Sequence, residues 1–185
     1  MVESSDTSSW DTAPLQQLEA KVGEAKQANK YLFIWDKQGN VGTFMQYKGQ
    51  LCDIAPQVCN MQLGRCTAAE IGETIRHNFV SAMRNGDNLC IDMGATTPEF
   101  ASFNSENTFD ANLFFNWADF NVEATYKQYV RENENHGIGG LNPGHYMRSP
   151  NFGMSIRSGA ETEEEVLAQL AKIPNSDQFQ KVIFQ

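Results

Sequence analysis

Polar residues without periodicity fill positions 1–13 and predict a flexible arm, in which Trp10 stands out as a ring suited to docking on a neighbouring surface. Leu15, Leu18, Val22 and Ala25 then recur at helical spacing behind Pro14, a residue suited to a first turn, and predict a helix over 14–28. Tyr31-Leu-Phe-Ile-Trp35 is a short continuous apolar run followed by the turn-like Asp36-Lys-Gln-Gly39-Asn. That combination predicts a strand buried on both faces. A short helix fits 41–47, and a second strand fits 50–54, with Asp53 and Pro56 arguing against it.

The clearest local signal is Thr67-Ala-Ala-Glu70, a capping box that opens an amphipathic helix carrying Ile71, Ile75, Phe79, Ala82 and Met83. Arg84 and Gly86 suit its end, and Asn88-Leu-Cys-Ile-Asp92 reads as the next strand. Residues 93–121 hold seven Phe or Trp rings at irregular spacing, which predicts short helical turns packed on the sheet. Val122, Tyr126, Tyr129 and Val130 suggest a helix ending near Glu134, and Gly137 to Gly144 a loop. A strand at 152–156, a second capping box at Thr162–Glu165, a stop at Pro174 and a terminal strand at 181–185 complete the pattern. Strands alternating with helices at these distances need crossover connections. The expected fold is a three-layer α/β domain over 14–185 with a mostly parallel sheet, behind the arm at 1–13.

Composition narrows the function. The 185 residues carry 23 Asp and Glu against 14 Lys and Arg, a net charge of −9. Such a surface repels phosphate backbones and anionic lipid, so neither nucleic acid nor membrane is an expected partner. No apolar run is long enough to span a bilayer, and the N-terminus lacks the basic and apolar regions of a secretory signal, so a cytoplasmic chain is expected. Cys52, Cys59, Cys66 and Cys90 form no CxxC pair and read as reduced, mostly buried thiols, so no metal is expected.

Open parallel sheets bind ligands at the carboxyl ends of their strands. Two such ends are readable. Residues 36–43 can be laid on the phosphate-loop pattern G-x-x-G-x-G-K-[ST], in which backbone N–H groups curl around phosphates and the lysine neutralises them. Gly39 and Thr43 match, whereas Asp36 and Val41 replace glycines and Gly42 replaces the lysine. Without that ammonium group the charge neutralisation needed for phosphoryl transfer is missing. The second end, Leu89-Cys-Ile-Asp92, has the form of a Walker B strand, whose aspartate holds a magnesium-bound water.

The stretch from Leu32 to Phe44, taken with Asn88–Met93, resembles the P-loop-derived C-terminal domain of IQ-motif and ankyrin-repeat-containing proteins. The resemblance covers roughly residues 30–185, and the chain departs from the full architecture in having neither ankyrin repeats nor an IQ helix. It implies a P-loop NTPase-like fold with a degenerate phosphate loop, no cofactor and no catalytic residue. It also implies protein partners in a larger cytoskeletal assembly, in cilia or flagella. If a nucleotide binds instead, Lys37, Gly39, Gly42, Thr43 and Asp92 are the residues to hold it. Their plainer readings are a solvent-facing turn lysine for Lys37, a helix start for Thr43 and a strand-end cap for Asp92.

Other candidates carry less. His77 lies beside a helix's apolar stripe, and His136 and His145 flank the glycine-rich loop near Glu132, Glu134 and Arg148 without a nucleophile in a motif context. Arg131 and Arg148 suit phosphate sensing or surface ion pairs equally. The run Glu161–Glu165 complements a helix N-terminus and lacks calcium-loop spacing. Two functions therefore lead: a non-catalytic structural or interaction module, and a nucleotide-dependent kinase or hydrolase with a variant phosphate loop. A thiol protein using Cys52 or Cys59 is the third.

Overall fold

The computed structural model describes residues 6–185, and the expected arm falls partly outside them. The described residues form six strands: β1 (Asp11–Ala13), β2 (Leu32–Asp36), β3 (Gln50–Asp53), β4 (Asn88–Asp92), β5 (Gly153–Ser158) and β6 (Gln180–Phe184). Five α-helices cover them: α1 (Leu18–Gln27), α2 (Asn40–Lys48), α3 (Ala55–Gln62), α4 (Ala68–Asn85) and, near the C-terminus, α8 (Glu163–Leu170). Three single turns, α5 (Ala111–Phe114), α6 (Trp117–Phe120) and α7 (Glu123–Tyr126), lie between β4 and β5.

The strands make one sheet in the order β1-β6-β2-β5-β4-β3, and every neighbouring pair is parallel. Alternation along the strands divides the core in two. Tyr31, Phe33 and Trp35 of the β2 run pack with Leu89, Ile91 and Ile156 against Ile71, Ile75 and Phe79 of α4 and Val166 of α8. Leu32, Ile34, Cys90 and Val182 face the other way, against Leu18 and Val22 of α1 and Val41 and Met45 of α2. Helices thus cover both faces of an all-parallel sheet, the three-layer α/β arrangement.

Both expected capping boxes form, at Thr67/Glu70 and at Thr162/Glu165. The aromatic segment packs as expected: Phe79 meets Phe114, Phe120 and Phe152 at centroid distances of 5.0, 5.4 and 5.9 Å. Within the segment read as an arm, Asp11–Ala13 pairs with β6, and Trp10 is buried edge-on against Phe33, 5.6 Å away. The helix expected over 122–134 is instead α7 followed by separate 3₁₀ turns at Lys127–Tyr129 and Glu132–Glu134. The reason is competition for backbone groups. The Arg76 guanidinium takes the Tyr129 carbonyl at 2.8 Å, and the Glu134 carboxylate takes the Arg131 N–H at 3.1 Å. A continuous helix would need both groups for itself.

Candidate functional site

β2 and β5 are neighbours in the sheet, but β2 leads into α2 on one face and β5 into α8 on the other. Their connections part at this point, and the crevice beyond the strand ends is where open α/β sheets bind ligands. Three ionised side chains meet there. Asp36 ends β2, Asp92 ends β4, and Arg157 lies one residue before the end of β5, in register with Asp92 and Ile34. Arg157 donates from Nε to Asp36 Oδ2 at 2.9 Å and from Nη1 to both Asp92 oxygens, at 2.8 and 3.0 Å. All three residues are buried.

The turn after β2 wraps around the Asp36 carboxylate. Its Oδ1 accepts the backbone N–H of Gln38 at 3.3 Å and of Gly39 at 3.1 Å, and its Oδ2 accepts that of Val41 at 2.9 Å. The turn closes through Gly39 at φ +76°, a left-handed conformation that a side chain would strain. α2 starts at the next residue. Successive N–H groups at a helix N-terminus make an anion-binding concavity, and here the anion is the chain's own. Gly42, one turn further, packs so closely that a Cβ there would lie 3.0 Å from Asp92 Oδ2. A lysine at this position would crowd the ion cluster.

Two carboxylates against one guanidinium leave the cluster negative. Burial works against the charge on Arg157, but Asp92 and then Asp36 hold its pKa above the ordinary value. Asp53, paired in register with Asp92, has its pKa raised by partial burial and then by the Asp92 carboxylate. Asp92 also accepts the Gly94 N–H at 2.8 Å, which anchors the loop after β4.

Of the residues singled out for a nucleotide, the fold brings Gly39, Gly42 and Asp92 together around Asp36 and Arg157, and it leaves Lys37 and Thr43 outside. Lys37 folds back with Nζ 3.9 Å from the centre of the Trp35 ring, whose side chain belongs to the opposite face of the sheet from Asp36. Thr43 is exposed and lines a separate depression with Leu15, Phe44 and Tyr47. Arg157 was missed by motif reading. Its signal was a single charged residue near the end of a strand otherwise free of charge, beside two strands that end in aspartate.

A second ion cluster lies on the other face. Arg76, 1 % exposed, makes a double hydrogen bond to Glu134 at 2.6 and 2.9 Å and another to Glu73 at 2.8 and 2.9 Å. His77 Nδ1 reaches Glu134 Oε1 at 2.8 Å. Burial pushes the Glu134 carboxyl up, but the hydrogen bonds from Arg76, His77 and the Arg131 N–H outweigh it and hold the pKa at about 2. This cluster ties α4 to the segment before β5. The histidines lie beside these groups without a paired nucleophile among the described residues: His136 Nε2 is 3.3 Å from Arg84 Nη1. Burial pushes the Cys52 thiol up to about 12, which removes it as a nucleophile near neutral pH. Among the described residues no group of three or more His, Cys, Asp or Glu side chains is placed to hold a metal ion, and no helix is long and apolar enough to cross a membrane.

No protein-family model matches the chain, and no curated protein or solved structure does either.

Proposed function

We propose that the chain is a non-catalytic interaction module on a P-loop-like scaffold whose phosphate position is filled by its own Asp36. The observation that supports this is the set of three backbone N–H groups at the β2–α2 turn, all donating to that carboxylate while Arg157 balances it from the neighbouring strand. A phosphate entering the turn would meet Asp36 and a net negative cluster, with no lysine to offset the repulsion. Filling the turn internally removes the ligand and keeps the scaffold rigid, which suits a part that is built into an assembly. Exposed Tyr47, Leu63 and Leu141 offer apolar surface for protein partners. Membership of a cytoskeletal assembly, of the ciliary type, rests on the resemblance of Leu32–Phe44 and Asn88–Met93 described above.

The test is thermal and chemical unfolding with and without magnesium ATP or GTP. The expected result is an unchanged midpoint at millimolar nucleotide. A ligand at 100 times its Kd stabilises by about 2.7 kcal/mol, and a shift of that size would overturn the reading in favour of a nucleotide-dependent enzyme with a variant loop.

A further inference from the structure

The loop that runs from Gly137 to Pro150 closes against the end of α4 and leaves a cavity of about 620 Å³. That volume is in the range of small-molecule sites. Its lining combines Arg84, Arg148 and His145 with the apolar Ile138 and Met147, and it includes no carboxylate. In a chain of net charge −9 this is an unusual place for two guanidinium groups.

Neither arginine is neutralised by an acid across the cavity. Arg148 lies over the rings of Trp117 and Phe152, 5.3 and 5.7 Å from their centres. Its titratable neighbours are the phenols of Tyr31, Tyr126 and Tyr146, and burial raises the pKa of Tyr31 and Tyr146, so those two stay neutral. Arg84 spends Nη1 on the Glu134 carbonyl at 3.3 Å and on His136. The Glu134 carboxylate itself is engaged by Arg76 and His77. The Nε atoms of both Arg84 and Arg148 are buried without a hydrogen-bond partner. Both arginines are otherwise only half-buried, and a guanidinium at a cavity wall that receives a carboxylate or phosphate makes charge-assisted bonds. At the rim Ile138 is 64 % and Met147 70 % exposed, apolar surface that a ligand would cover.

We propose that this cavity binds a small organic anion, a carboxylate or phosphate monoester carried on an apolar body. Arg148 and Arg84 take the anionic end, and Ile138 and Met147 take the apolar end. The site is separate from the β2–α2 turn and stands or falls independently of the function proposed above.

Titration calorimetry on the full chain with inorganic phosphate, hexanoate and phenyl phosphate tests it. At least one organic anion is expected to bind about tenfold tighter than inorganic phosphate, and the stronger of the two identifies the preferred headgroup. Arg148→Gln is expected to weaken that binding about tenfold or more. Ile138→Glu, which changes only an exposed rim residue, is expected to weaken it as well by placing a like charge beside the ligand. Absence of binding by all three probes, equal binding of inorganic phosphate, or affinities unchanged in both variants would overturn the proposal.

Discussion

Arg157 and Arg76 are both buried guanidinium groups held between two carboxylates, one on each face of the sheet, and under the function proposed above the difference between them separates a filled ligand position from a clamp. Around Arg76, Glu134 and the Tyr129 carbonyl join α4 to the chain before β5, and Glu73 holds the guanidinium from within α4. Removing that cluster would loosen two segments. Around Arg157, the partner Asp36 is itself surrounded by N–H groups at the start of α2, at the crevice where the connections of β2 and β5 part. Backbone donors in a turn are specific to an anion and indifferent to its source. The same ionic chemistry therefore joins two segments in one place and, in the proposed reading, fills a ligand position in the other.

The largest effect that can break this comparison is loss of the central cation. Arg157→Met leaves Asp36 and Asp92 buried together without a counter-charge and is expected to cost about 3–5 kcal/mol in urea unfolding. Arg76→Met is expected to cost less, about 2–3 kcal/mol, because Glu73 is half-buried and Glu134 keeps His77 and the Arg131 N–H. Equal or reversed losses would remove the distinction between the two sites.

Next in size is an exchange of anions. Asp36→Gly removes the internal occupant and its three backbone contacts, at an expected cost of about 2–3 kcal/mol. The emptied turn then faces Arg157 with only Asp92 opposing it. Inorganic phosphate should restore part of the loss, about 1.4 kcal/mol at ten times its Kd. It should do nothing for Glu134→Gln, where no ring of backbone donors is left behind. Equal rescue of both variants would show a general salt effect in place of a refilled site.

The acid limb reports on the Arg76 cluster. Glu134 has a folded pKa of about 2 against an ordinary 4.5, so the unfolded chain binds its proton first. Its contribution is complete above about pH 4.5 and is lost as the pH falls from there towards 2. The expected loss is about 2 kcal/mol, less than the full linkage value because the Glu134 carboxylate is partly solvated. Glu134→Gln should flatten this limb.

Much of the fold was legible because local rules and global packing agreed. The continuous apolar run at Tyr31–Trp35, the capping boxes at Thr67 and Thr162, and the spacing of Ile71, Ile75 and Phe79 each point to the element that forms. The misread helix at 122–134 shows where legibility ended, since the groups that break it, Arg76 and Glu134, lie far apart in sequence. The site divides in the same way. Asp36 was recognisable as an intruder in a phosphate-loop pattern, a local fact. That it accepts the loop's own N–H groups and pairs with Arg157, 121 positions later, is long-range geometry that no spacing rule carries.

The smallest expected effects test the residues that the motif alone would have favoured. In the phosphate-loop pattern a basic side chain and Thr43 would touch the nucleotide and its magnesium. Here Lys37 lies over Trp35 in an exposed position, an arrangement worth about 0.5–1 kcal/mol. Thr43 is solvent-exposed on α2 and spends no hydrogen bond on the cluster. Lys37→Ala is therefore expected to cost no more than about 1 kcal/mol and Thr43→Ala less than about 0.5 kcal/mol. Neither should alter the melting response to magnesium nucleotide. If either substitution abolished a nucleotide-dependent shift, the turn would be a working phosphate loop, and Asp36 would have to leave its ring of N–H groups to admit the ligand. The energetic cost of that departure is what Asp36→Gly measures, so the weakest pair of variants and the anion exchange bear on one question from opposite sides.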